Sequence, residues 1–164
     1  MASTYEPIGT STLGSPSSAV TFSSIPSTYT DLVLVFNGTT ASSSSVGIRC
    51  NGQTTGYSTT YLYGNGSSAG SYRGTTAGQS YTGTDPASAS GASNLTTIVF
   101  NFQNYGNTTT YKSILMRANR AAAGVGASIG MFNYTSAISS ITVTADGVNF
   151  ETGSTFTLYG IKAA

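Results

Sequence analysis

Few residues in this chain could do acid–base or nucleophilic chemistry. Its 164 residues hold 6 Lys+Arg, 5 Asp+Glu, no histidine and a single cysteine. Histidine is the side chain that titrates near neutral pH and the commonest metal ligand. The carboxylates are Glu6, Asp31, Asp85, Asp146 and Glu151, and no two lie closer than five residues in sequence. That is a thin supply for a general acid and a general base. Cys50 closes the segment Val46-Gly47-Ile48-Arg49-Cys50, which reads as a strand with Ile48 and Cys50 on one face. With no histidine to activate it, the thiol is expected to be buried and structural. Asp31, Asp85, Asp146 and Glu151 lack calcium-loop spacing. Gly64-Asn65-Gly66 and Gly124-Val125-Gly126 lack the Gly-Lys-Ser/Thr ending of a phosphate loop. The chain is therefore expected to be no enzyme, with no catalytic residue, cofactor or metal.

Its chemistry is that of contact. Tyr57, Tyr61, Tyr63, Tyr72 and Tyr81 fall within residues 52–94, a stretch made almost wholly of Gly, Ser, Thr, Ala and Tyr. Tyrosine offers rigid amphipathic area at low entropy cost, and Ser and Gly adapt their hydrogen bonds around it. The same rings could stack on sugars, or could be strand aromatics with one end in the core. Arg117 and Arg120 form the only close basic pair, and with Arg73 they are candidates to grip a partner's carboxylate or carbonyl oxygens. Tyr5, Ile8 and Leu13 are spaced along the first eighteen residues as anchors for a neighbour.

Those side chains need a frame, and the frame reads as all-β. Residues 1–18 have two prolines, two glycines and almost no apolar alternation, so they are expected to form an extended arm ahead of a domain over 19–164. Period-two segments follow at 19–22, 31–37, 46–50, 97–103, 111–118, 128–134, 138–145 and 155–162. Asp31–Asn37 is the strongest, with apolar residues on both faces. Asn37-Gly38, Asn51-Gly52, Asn65-Gly66 and Asp146-Gly147 are turn dipeptides. No window holds a helical apolar stripe, and only Arg117–Ala123 suits a turn or two of helix. Short strands joined by glycine-rich turns predict a single antiparallel β-sandwich with jelly-roll or Greek-key wiring. Residues 52–94 are expected to form a tyrosine-bearing excursion lying on a neighbour, with short strands conceivable at 60–64 and 70–76.

Composition narrows the partners. A net charge of +1 gives no clustered basic surface for nucleic acid. No apolar run is long enough to span a bilayer, and no leader pattern opens the chain. About a third of the residues are Ser or Thr, and near-zero charge removes long-range repulsion, which suits close self-association.

Two segments carry a family resemblance. The opening, above all FSSIPSTYTDLVL at 22–34, resembles the start of small virion proteins of tailed bacteriophages. The close, FETGSTFTLYGIKAA at 150–164, resembles their C-terminal strand. Together they cover roughly a quarter of the chain. The resemblance implies an all-β subunit on the outside of the particle, made in the host cytoplasm without a signal peptide. The leading expectation is a capsid decoration (cement) protein that binds the major capsid protein or other virion proteins, as a trimer or other small homo-oligomer. The alternative is a tail-fibre or receptor-binding module that recognises a host surface glycan through the tyrosines.

Overall fold

Alternation of apolar and hydroxyl side chains builds twelve antiparallel strands among the described residues. The structure, a computed structural model, describes residues 4–81, 95–120 and 123–162, with backbone alone for 75–77, 80 and 81. The strands are β1 (Tyr5–Thr12), β2 (Ala19–Phe22), β3 (Asp31–Gly38), β4 (Val46–Cys50), β5 (Tyr57–Gly64), β6 (Ala69–Ala77), β7 (Ser80–Tyr81), β8 (Thr96–Phe102), β9 (Lys112–Arg120), β10 (Gly124–Phe132), β11 (Ile141–Ala145) and β12 (Thr155–Ile161). They form an eight-stranded sheet, ordered β1-β12-β3-β8-β9-β10-β5-β6, and a four-stranded sheet, ordered β2-β11-β4-β7. Among the described residues there is no helix. The chain is an antiparallel β-sandwich.

The core lies between the sheets. The large sheet supplies Leu32, Leu34 and Phe36 from β3, Ile98, Phe100 and Phe102 from β8, Ile114 and Met116 from β9, and Phe156 and Leu158 from β12. The small sheet supplies Val20, Val46, Ile48, Cys50, Ile141 and Val143. Phe36, Phe150 and Phe156 form a ring cluster with centroids 5.0–5.2 Å apart, an aromatic packing distance that adds to plain burial.

Several expectations need correcting. The arm over 1–18 is no free arm: residues 5–12 are edge strand β1, paired with β12 from Tyr5↔Ile161 to Thr12↔Thr155. What ties it down is backbone hydrogen bonding, which leaves little trace in an apolar pattern. Its Ile8, together with Leu13 beyond it, packs against the protein's own core. Exposed Pro7 and a register shift between Pro7 and Gly9 interrupt its pairing, a common way to blunt a sheet edge.

The excursion is largely strand as well. β5 and β6 form a hairpin that widens the large sheet, and β7 closes the small one; residues 82–94, Asp85 included, lie outside the described residues. Arg117–Arg120 belongs to β9, and the Ala123 N–H donates to the Arg120 carbonyl at 3.1 Å, joining β9 to β10 rather than forming a helix. Asn37-Gly38 ends β3 in register with β8 and is no turn. Asn51-Gly52 is one, with φ of 52° and 68° in the left-handed region that such a turn requires.

β3 is covered on its two faces in different ways. Leu32, Leu34 and Phe36 point into the sandwich. Val33 is buried and Val35 half-buried on the outer face, beside in-register neighbours such as Asn101 and Tyr159 for Val33.

Candidate functional site

Two surfaces on the β9-β10-β5-β6 side of the large sheet, one on each face, gather exposed aromatic or aliphatic side chains. Strand register places them. An inner row crosses seven strands as Leu158, Leu34, Phe100, Met116, Ser128, Tyr61 and Tyr72. The next inner row runs Phe156, Phe36, Ile98, Ala118, Gly126, Tyr63 and Gly70. Both rows begin in the core, become small at β10 and carry a tyrosine on β5.

The tyrosines at that end form a chain of rings. Tyr61 is 6.2 Å from Tyr63 and 5.6 Å from Tyr72, centroid to centroid, with planes inclined at 41° and 40°. Tyr72 is 60% exposed, and Tyr61 and Tyr63 are half-buried. Gly70 makes room for this arrangement, since a Cβ there would lie 2.7 Å from the Tyr63 ring and its hydroxyl. None of the three tyrosine hydroxyls is engaged in a hydrogen bond among the described residues.

Tyr57 shares their strand face but not their role. It is 1% exposed and stacks on Phe132 at 5.3 Å. Its hydroxyl accepts from the Cys50 N–H at 2.7 Å and lies 3.3 Å from the Gln53 carbonyl. Burial pushes its ionisation well above the ordinary tyrosine value, and the neighbouring Cys50 adds to the shift. The expectation of Tyr57 as a contact residue is thus corrected: it is core. Of Tyr81 the structure gives backbone only, paired with Gly47.

The outer face of the same strands is apolar and open. On β10, Val125, Ala127, Ile129 and Met131 all point outward, with Ile129 60% exposed. Leu62 on β5 is 61% exposed and sits in register with Ala127. Arg117 on β9 and Arg73 on β6, both exposed, flank this strip on the same face. Leu62, Arg117, Val125 and Ala127 line a shallow depression of about 460 Å³.

Sequence reasoning missed the apolar strip, although its signal was visible. In GVGASIGMF the glycines and serine alternate with Val, Ala, Ile and Met, and such a pattern ordinarily sends the larger residues inward. Here Gly126, Ser128 and Gly130 face inward instead, in register with Ala118, Met116 and Ile114 on β9 and with Tyr63, Tyr61 and Thr59 on β5.

The remaining candidates are dispersed. Arg117 and Arg120 lie on opposite faces of β9, so they do not form one grip. Tyr5 is exposed at the other end of the large sheet, edge-on to Tyr159 at 6.2 Å. Ile8 and Leu13 are spent on the protein's own core.

Titratable groups are scattered too. Cys50 is fully buried, and burial pushes its thiol far above the ordinary value, only partly opposed by the charge of Lys112. Lys112 is itself buried and donates to the Thr110 and Thr135 carbonyls at 2.7 and 3.0 Å, and desolvation lowers its pKa. Glu6 pairs with Lys162 at 2.7 Å, and that hydrogen bond holds its carboxyl below the usual range. Among the described residues no group of three or more His, Cys, Asp or Glu could hold a metal ion.

No family model and no curated protein matches the chain. Among solved structures, the marine PL-14 alginate lyase from Aplysia kurodai is similar over 85% of this chain and 72% of its own, at 8% identity and a TM-score of 0.33. A likeness of that size carries no inference about chemistry.

Proposed function

We propose that this protein is a non-catalytic structural subunit on the surface of a tailed-phage particle, attached to the major capsid protein through the outer face of its large sheet. The observation that carries the reading is the open strip of Leu62, Val125, Ile129 and Met131 between two exposed arginines. Contiguous apolar surface rimmed by polar groups marks a protein contact. The arginines add specificity for a partner whose apolar patch is edged with carboxylates, because a guanidinium fork pairs with carboxylate in two parallel hydrogen bonds. Binding of this kind stabilises a shell by mass action against subunit loss.

The sequence resemblance supports the virion setting. Its two segments contribute β3 and β12, which pair with each other at the opposite side of the sheet from the strip. The part that matches nothing we can name carries the contact surface. A shared frame with a partner-specific end is what an attachment protein needs.

The test is quantitative band intensity on purified particles, with wild type and Ile129→Lys. A copy number comparable to the shell subunit is expected, with the variant folding normally but failing to attach. A count of only a few per particle, or attachment that survives Ile129→Lys and Leu62→Lys together, would overturn the reading.

A further inference from the structure

The inner-face tyrosines differ in chemistry from the outer strip. On the outer face the exposed groups are aliphatic and flanked by arginines. On the inner face, Tyr61, Tyr63 and Tyr72 stand among Gly70, Gly126 and Ser128, and the register rows that hold them contain no charged side chain. The inner-face arginine, Arg120, is two strands away at the end of β9.

We propose that Tyr61, Tyr63 and Tyr72 form a stacking platform for a neutral polysaccharide. A sugar ring has apolar C–H faces and a polar rim, and a tyrosine offers an apolar face and one hydroxyl. Three linked rings whose hydroxyls make no hydrogen bond among the described residues can cover C–H faces and bond the rim at the same time. Among the described residues no exposed aliphatic side chain stands on that face of β5 and β6 to favour a protein partner. Charge selects as well. The rows offer nothing to balance the carboxylates or sulfates of an acidic polysaccharide, so neutral chains are preferred. This site is independent of the capsid contact, being on the opposite face of the sheet.

The test is native electrophoresis of the full chain through gels cast with dextran, galactomannan or hydroxyethyl cellulose, with polygalacturonate as the anionic comparator. The chain has no tryptophan, so quenching of tyrosine emission is a second readout in solution. Wild type should be retarded by at least one neutral polymer and not by polygalacturonate. Tyr72→Ala and Tyr61→Ala should each weaken the retardation about tenfold, the scale of one lost aromatic contact, while Tyr72→Phe keeps most of it. Ile129→Lys, on the other face, should bind as wild type does. Tyr72 is largely exposed, so its variants are expected to fold, and an unchanged melting temperature confirms it. Retardation by none of the neutral polymers, retardation by polygalacturonate alone, or full retention in the Tyr61→Ala/Tyr72→Ala double variant would each overturn the proposal. So would loss of particle attachment in Tyr72→Ala, because that outcome makes the platform a protein contact.

Discussion

Tyr57 and Tyr61 stand four residues apart on one face of one strand, yet one is core and the other is surface. The sequence TTGYSTTYLYG shows their shared face and nothing more. What separates them is non-local: β4 of the small sheet ends at Cys50, whose N–H donates to the Tyr57 hydroxyl. Tyr57→Phe keeps the stack on Phe132 but strands that buried N–H. It should cost about 1–3 kcal/mol in chemical denaturation, the penalty for an unsatisfied buried donor. Cys50 was legible as a buried thiol from strand alternation and the missing histidine. Its burial has a pH signature. Below the ordinary thiol pKa of about 8.5 both folded and unfolded states keep the proton, so nothing is linked to pH. Above it the unfolded thiol ionises while the buried one does not, so the unfolded state binds fewer protons and stability falls as pH rises. Lys112 works in the opposite sense, because its lowered pKa relieves a folding penalty as pH climbs towards the ordinary lysine value. Comparing wild type with Cys50→Ala isolates the thiol. The variant should be less stable at pH 7, and the gap should narrow between about pH 8.5 and 10 in matched denaturation curves.

Elements were legible wherever one face met the core. Ala19–Phe22 and Val46–Cys50 appear with the bounds their alternation implies, and β3, β8 and β12 differ by a residue. Leu34, fully buried in β3, should cost about 2–5 kcal/mol as Leu34→Ala, whereas Val35→Ala on the outer face should cost less than half of that. Thermal unfolding of the pair measures the asymmetry between the faces. β1 was illegible because hydroxyl-rich edge strands are held by their backbone, and β10 was legible as a strand from residue 128, but its larger side chains other than Phe132 face solvent. Pairing of β1 changes what its removal does. Deleting residues 2–12 should lower the melting temperature by about 5 °C or more, since Ile8, a full ladder and the Glu6–Lys162 pair are lost together. An unchanged melting temperature would mean that the strand contributes nothing to the free subunit.

At the scale of the molecule, alternation and turn residues announced a sandwich, but not that one sheet would hold twice as many strands as the other. That outcome depends on where β5 and β6 dock, and pairing partners far apart in sequence leave no local mark. The chain contains no histidine, and the Glu6 carboxyl, hydrogen-bonded by Lys162, is displaced downward, away from neutral pH. Between about pH 5.5 and 8 no ordinary side chain changes charge. Attachment to particles should therefore be flat across that window in a sedimentation assay. A step near pH 6.5 would demand a group whose pKa binding itself shifts.

The place of β12 between β1 and β3 has a consequence for biosynthesis. Those two strands leave the ribosome early, but the strand that joins them emerges only after nearly all the described chain has been made. Until then β1 has no partner and β3 offers a bare edge on one side, the arrangement that invites pairing with another nascent chain. Completion of the large sheet must wait for β12 and, with so many distant pairings, is slow. The broken pairing at Pro7 then matters most before the fold exists, because it makes β1 a poor template for a stranger while it waits for β12.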